Sequence, residues 1–487
     1  MIFGTIELSI RGFYKNLTDT LSTDFLQFQS VLLPDGWAEN VLIEVNAEGS
    51  IHGVFQGPDA RKPGVKRIPG CALPGVPNCH SHAHQRAMAG LGEKAGLGWD
   101  GRSTLADSFW TWREVMYRCL ERIQPEHLYA ISRQVYTEML KAGYTSVGEF
   151  QYLHHDPSGK PYSNCAEMTL QCMQAAKDVG IGFTALPVLY RYGGFGSQPP
   201  LDGQKRFVND AMAFCEIVHC LVEASKDNGN GTVGIAPHSL RAVDESLLQE
   251  VLRSLSGAAL AGIHLHIAEQ DREVADCLAW SGERPVQWLL NRFDIDHRWC
   301  LVHATHMDEA ETLGMASSGA IAGLCPTTEA NLGDGFFNLT NYRQHGGQWA
   351  IGSDSHISIS PVEELRWLEY GQRLLYRQKN MVAELASPHT GKTLLSAALE
   401  GGSQACGRKT GRIERGYRAD FIVLDTGHSR LVGRNADEII DSWIFSGNEN
   451  PLTDVFVGGR QVIVEGHHNE EESIREAFGQ TLRELSV

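Results

Sequence analysis

From about Leu73 onward the chain alternates short, nearly continuous apolar runs with longer segments whose apolar residues recur every three or four positions. Runs of the first kind suit strands of a sheet covered on both faces, and segments of the second kind suit helices with one buried stripe. Eight strands are expected, over 72–82, 144–150, 182–188, 233–239, 262–269, 299–306, 320–326 and 349–354. The clearest helix spans 125–143: Leu128, Ile131, Val135 and Met139 share a face, Pro125 stands near the start and Gly143 at the end. Further helices are expected over 244–255, with Asp244 as N-cap, and over 361–377, which carries Leu365, Leu368 and Leu375. Strands and helices in this alternation fit an α/β fold, a (β/α)8 barrel, better than a doubly wound sheet.

The flanks follow a different pattern. Strand-like pieces at 26–33, 41–45 and 51–54 are separated by the turn residues Pro34-Asp-Gly36 and Asn46-Ala-Glu-Gly49, and strands return at 419–424, 455–457 and 461–464. The expected organisation is an extension at 1–24, a small β-sandwich domain built from 25–70 and 407–487, and a metal-dependent catalytic barrel over 71–406.

Composition narrows the function. The 487 residues are 42% hydrophobic and 21% charged, ordinary for a globular enzyme. A formal net charge of −17 argues against nonspecific nucleic-acid binding and against an anionic membrane surface. The run Phe109-Trp-Thr-Trp112 lacks the basic surround of a nucleic-acid stacking platform, so packing, a lid or a dimer contact is its expected use. Eleven cysteines without a repeated short spacing read as reduced thiols. With no basic-then-apolar leader and no apolar run of membrane length, a soluble cytoplasmic protein is expected.

The chemistry gathers at strand ends. His80 and His82 are two residues apart, so in a strand both imidazoles project from one face. Strand four ends in His238, strand five in His266 and Glu269, strand six in His303 and His306, and strand eight in Asp354. Each alone reads more readily as a buried or capping residue satisfied by backbone than as a ligand. Five strands ending in ligand-type side chains at the catalytic end of a barrel point to a metal. His80, His82, His266 and Asp354 form a mononuclear ligand set with room for a water, which such a metal acidifies into a nucleophile. Zinc is expected, one per chain, although iron, cobalt or manganese could occupy a similar shell. No lysine stands at a strand end to be carbamylated, which weighs against a dinuclear centre. Glu269, three residues past His266, is placed to act as a proton shuttle. Arg241, three residues past His238, offers a planar fork for a carboxylate.

From about residue 40 onward the sequence resembles the amidohydrolase superfamily. The motifs are Leu73-Pro-Gly-Val-Pro-Asn-Cys-His-Ser-His82, His266-Ile-Ala-Glu269, His303, Gly352-Ser-Asp354 and Gly411-Arg-Ile-Glu-Arg-Gly-Tyr-Arg-Ala-Asp-Phe-Ile-Val-Leu-Asp425. The His-x-x-Glu arrangement resembles its mononuclear deaminase branch. Within it, Asn78–Gly90, Asp107–Tyr117, Gly148–His154 and Ala236–Val243 are similar to the formimidoylglutamate deiminases of histidine degradation. That resemblance implies hydrolysis of N-formimidoyl-L-glutamate to N-formyl-L-glutamate and ammonia. Asp354 would accept a proton from the attacking water, Glu269 would protonate the departing nitrogen, and His303 would stabilise or relay charge. It also implies that Gln85, Tyr152, His238 and Arg241 line the site of a dicarboxylate substrate, with Arg113 arriving from the neighbouring subunit of a homodimer. Two rivals stand beside it. A related zinc deaminase acting on a purine, pyrimidine or triazine ring predicts an apolar, aromatic pocket, and a non-catalytic scaffold predicts lost ligands.

Overall fold

The structure, a computed structural model, describes residues 24–60, 62–93, 116–226 and 229–486. Arg113, the run 109–112 and all of the expected extension but Asp24 lie outside them.

Four strands come first: β1 (Asp24–Leu33), β2 (Gly36–Val45), β3 (Ile51–Phe55) and β4 (Arg67–Pro74). The barrel follows, as β5 (Val76–Ser81), β6 (Tyr144–Gln151), β7 (Gly182–Leu189), β8 (Gly231–Val233), β9 (Ala236–Pro237), β10 (Ile263–Ile267), β11 (Trp299–His303), β12 (Ile321–Leu324) and β13 (Gln348–Ile351). Neighbouring strands pair in parallel, as two sheets. Parallel bridges Ile235–Ile263 and Ser239–His266 join those sheets on one side, and Ser81–Asp354 joins them on the other. The result is an eight-position TIM barrel, the expected architecture.

Two strands differ from expectation. The run 72–82 is two strands, because the chain leaves one sheet for another at Gly75. A Cβ there would stand 2.2 Å from the Thr145 side chain, so only glycine permits the crossing. The fourth barrel position is also split, into β8 and β9; Pro237 has no N–H for a ladder. Strands five, six and eight stop short of Glu269, His306 and Asp354, which therefore sit on the loops just beyond them.

After the barrel come β14 (Phe421–Leu424), β15 (Leu452–Val457), β16 (Arg460–Val464) and β17 (His467–His468). The strands expected to build a sandwich form one eight-stranded sheet, in the order β17-β16-β15-β14-β4-β1-β2-β3. Its own core holds Phe28 edge-on to Phe421 and Phe456, with ring centroids 5.4 and 5.8 Å apart. A separate buried cluster brings Cys79, Cys300, Cys325 and Cys406 together with Val302, Ile321 and two alanines. All eleven cysteines are free thiols.

The helices end where their caps dictate. The helix Pro125–Ala142 buries Leu128, Ile131, Val135 and Met139 and stops at Gly143, whose φ is 108°. The helix Glu245–Ser254 begins at Asp244, whose Oδ1 accepts the Leu247 N–H at 2.9 Å. Asp244→Ala is expected to cost about 1 kcal/mol of stability, read from the urea midpoint at unchanged slope. Among the described residues no helix is long and apolar enough to cross a membrane.

Candidate metal centre and its pocket

The barrel rim carries unusual backbone. Ala268, His303, Ala304, Asp354 and His356 all have positive φ, between 44° and 68°, without being glycine. Such conformations cost of order 1–3 kcal/mol each and persist where the surroundings over-determine them. Here they turn the chain sharply at the ends of β10, β11 and β13. At the barrel seam Gly352 passes so close to β5 that a Cβ would lie 2.8 Å from His80 Cβ. The Asp354 N–H donates to His80 O at 3.0 Å, and the His82 N–H donates to Asp354 O at 3.1 Å. First and last strands are thus laced together between the residues that bear the ligands.

Four side chains converge there, all buried. His80 Nε2 lies 3.1 Å from both His82 Nε2 and His266 Nε2. Asp354 Oδ1 lies 3.6 Å from His80 Nε2 and 3.4 Å from His82 Nε2. His82 Nδ1–H donates to Phe150 O at 2.9 Å, and His266 Nδ1–H donates to His238 O at 3.0 Å. Those two bonds fix the tautomers, so both Nε2 lone pairs face His80 Nε2. A proton on His80 Nε2 can satisfy one of them only, and its Nδ1 has no hydrogen-bond partner. At least one 3.1 Å nitrogen–nitrogen contact therefore calls for a cation. Nitrogens about 2.0–2.1 Å from a tetrahedral centre are separated by about 3.3–3.4 Å, close to the spacings found. Burial also keeps these imidazoles neutral, as ligands must be: His80 is pushed down to about 3, and His82 and His266 are lowered too. The three imidazoles form one donor group, and with Asp354 Oδ1 within 3.6 Å of two of them the set fits one divalent metal.

Beside the ligands stands a charged relay. His303 Nε2 lies 3.7 Å from Glu269 Oε1 and 3.7 Å from Asp354 Oδ2, while its Nδ1 faces Glu329 Oε1 at 3.2 Å. Burial opposes an imidazolium here, but Glu269, Glu329 and Asp354 outweigh it and hold His303 up to about 10. Burial pushes Glu269 up to about 7, against the pull of His303 and Arg241. Burial works the same way on Asp354, yet His80, His82 and His303 keep its carboxyl below the usual range.

The pocket over this centre is lined by His82, His266, Glu269, His303 and Asp354, and further out by Gln85, Tyr152, His238 and Arg241. Gln85 Nε2 donates to Tyr152 OH at 3.1 Å, and His238 Nδ1 contacts Ser239 Oγ at 3.0 Å. Arg241 Nη2 lies 3.9 Å from Glu269 Oε2 and 3.8 Å from Glu273 Oε2. The structure therefore brings together every expected site residue among those described; Arg113 lies outside them. His306, also noted at a strand end, turns away to Asp271 and to the Asp334 carbonyl.

Residues 71–462 match the amidohydrolase family. The chain belongs to that family. It is 49% identical, over 94% of its length and 98% of the relative's, to a formimidoylglutamate deiminase of Pseudomonas aeruginosa. A solved amidohydrolase of Brucella melitensis superposes with a TM-score of 0.88 at 43% identity, covering 95% of this chain and all of that one. The barrel is also shared with a zinc-bound adenosine deaminase of Xanthomonas campestris, at a TM-score of 0.77 and 19% identity over 95% and 98% of the two chains.

In this amidohydrolase several site residues escaped the sequence reading. Glu329 orients His303 from the helix Pro326–Leu332, and Glu273 faces Arg241 from the first turn of the helix Asp271–Ser281. A carboxylate one turn into the helix after the ligand-bearing strand β10 is the signal that would have found Glu273; Glu329 follows β12, which bears no ligand, and has no such signal. Met116, Tyr117, Tyr190 and Phe207 wall the pocket, and no local pattern marks them. Elemental analysis of purified protein is expected to give about one divalent metal per chain. Two metals, or none in active protein, would overturn the ligand set.

Proposed function

We propose that this amidohydrolase hydrolyses N-formimidoyl-L-glutamate to N-formyl-L-glutamate and ammonia, with zinc as its metal, in histidine degradation. When bound, the metal supplies a water acidic enough to act as a nucleophile near neutral pH. The observation that carries the substrate is Arg241, the only arginine or lysine among the described residues lining the pocket. A guanidinium held beside the site is suited to a substrate carboxylate. Gln85, Tyr152 and His238 add polar groups to the same pocket.

The remaining chemistry is proton handling. Asp354 Oδ2 and Glu269 Oε1 both face the His303 imidazolium, which holds the two carboxyl groups beside one another; Asp354 takes the attacking water's proton and Glu269 carries it onward. Water adds its oxygen to the formimidoyl carbon, and that carbon becomes tetrahedral. Glu269 delivers that proton to the terminal nitrogen, then takes the proton of the hydroxyl on the tetrahedral carbon and passes it to the same nitrogen; the carbon–nitrogen bond breaks and ammonia departs. The carbon keeps the water oxygen as a formyl group. Resemblance further assigns a homodimer in which Arg113 of the partner subunit approaches the second carboxylate. The eleven free thiols support a cytoplasmic location.

A second reading has its own support. Tyr117, Tyr152, Tyr190 and Phe207 give the pocket aromatic walls that would suit a heterocyclic amine. One assay separates the two: ammonia release from formimidoylglutamate, formimidoylaspartate, guanine and adenosine offered in parallel. Turnover of formimidoylglutamate at least about tenfold above the purines in kcat/KM is expected. Preference for either purine would replace the proposal with the second reading.

A further inference from the structure

Beneath the ligands runs a buried polar chain that the chemistry above does not use. Asn78 Nδ2–H donates to Ser353 Oγ at 2.6 Å, and the Ser353 hydroxyl donates to His356 Nδ1 at 3.1 Å. His356 Nε2–H then donates to Ser81 Oγ at 3.1 Å, and the Ser81 hydroxyl donates to Glu149 Oε2 at 2.6 Å. In this direction every hydrogen has one acceptor. Glu149 also accepts the Ala83 N–H at 2.7 Å and the Tyr136 hydroxyl at 3.1 Å. Three donors aimed at one carboxyl favour the acceptor-only, ionised form, against the burial that pushes Glu149 up to about 7. Every member of the chain is fully buried. No basic side chain forms an ion pair with Glu149 among the described residues, so hydrogen bonds alone hold its charge.

The positions matter more than the bonds. Ser81 separates His80 from His82, Ala83 follows His82, and Ser353 precedes Asp354. Asn78 Oδ1 accepts the Ser353 N–H at 3.1 Å and the His80 N–H at 3.3 Å. Glu149 itself precedes Phe150, whose carbonyl receives His82 Nδ1–H. One carboxylate on β6 thus anchors the ligand-bearing ends of both the first and the last barrel strands. We propose that Glu149 is a positioning residue, the end acceptor of a chain that holds His80, His82 and Asp354 in register and so sets how tightly the metal is retained. This inference rests on the metal-centre reading and is independent of the substrate.

The test measures metal, not turnover. A glutamine at 149 presents one oxygen and one NH2 group to three donors, so the Ala83 N–H or the Ser81 hydroxyl loses its acceptor. Ser81→Ala cuts the chain one link further on. Each variant is expected to weaken zinc binding, measured by chelator competition, by about 10–100-fold and to alter the visible absorption of the cobalt-substituted protein. Because both act on one chain, the double variant should lose less than the product of the two single effects. Circular dichroism of each variant checks that the barrel has folded. Folded variants that bind zinc within about twofold of the parent would overturn the proposal. So would single effects that simply multiply. If Glu149→Gln fails to fold, Ser81→Ala decides the matter alone by the same affinity criterion. A parent protein that binds no metal would sink the metal-centre reading first and this inference with it.

Discussion

Replacing Glu269 with glutamine is expected to leave the metal bound and to slow turnover by about 10²–10⁴-fold, the usual scale of general acid–base assistance. Glu269 stands outside the three-histidine group and the Asp354 carboxylate beside it, so tetrahedral coordination does not need it. Its Oε1 instead faces His303 Nε2 at 3.7 Å, and its Oε2 faces Arg241 at 3.9 Å. Burial pushes its carboxyl up to about 7, where one group can both hold and release a proton near neutral pH. Glutamine keeps the shape and loses the transferable proton. The measurement pairs kcat with metal content by elemental analysis. A variant that lost its metal, and recovered full rate when zinc was resupplied, would make Glu269 a ligand or a structural residue.

The ligands were legible in the sequence because local geometry places them. Alternation along β5 aims His80 and His82 together, and the end of a parallel strand fixes where His266 lies. Asp354 was legible for a similar reason, although it lies beyond β13 and owes its place to a bridge with Ser81. The split of the first expected strand at Gly75 was not. Apolar residues run through 72–77 without a break, and what divides them is the Thr145 side chain, distant in sequence. The same holds for the outer sheet. Short strands were readable at both ends of the chain, but their joining into one sheet depends on β4 pairing with both β1 and β14.

The polar groups around the ligands were the least legible. Glu329 meets His303 across 26 residues, and Ser353 meets Asn78 across 275. No periodicity links such pairs, because the barrel brings their strands or strand ends together only once it closes. Glu149 lay inside a stretch quoted for its resemblance, Gly148–His154. Yet nothing in that stretch distinguishes a buried anchor from a carboxylate facing substrate. Its three donors come from Ser81, Ala83 and Tyr136, and only the folded chain supplies them.

Substrate choice rests most heavily on Arg241, and the structure changes what its removal should show. The whole chain carries −17, so a dianionic substrate gains nothing from long-range steering and must be recognised locally. Arg241 is half-buried between Glu269 and Glu273, at 3.9 and 3.8 Å, and their charges outweigh desolvation and keep the guanidinium ionised. An incoming carboxylate therefore shares a cation that two resident carboxylates already hold in place. Losing a charge-assisted contact of this kind costs about 2–5 kcal/mol, equivalent to roughly thirtyfold to several thousandfold in kcat/KM. Arg241→Met is expected to show a loss in that range on formimidoylglutamate while the metal stays bound. Part of the loss will act through Glu269, whose carboxyl rises further once the neighbouring cation is gone, and that part falls on every substrate. An uncharged formamidine isolates it: a poor substrate for the parent enzyme, it should lose at least about tenfold less than formimidoylglutamate does. Lysine at the same position should recover only part of the difference, because a point charge cannot reproduce two parallel hydrogen bonds. Equal losses on charged and uncharged formamidines would mean that Arg241 serves Glu269 alone, and recognition of the dicarboxylate would then have to come from elsewhere.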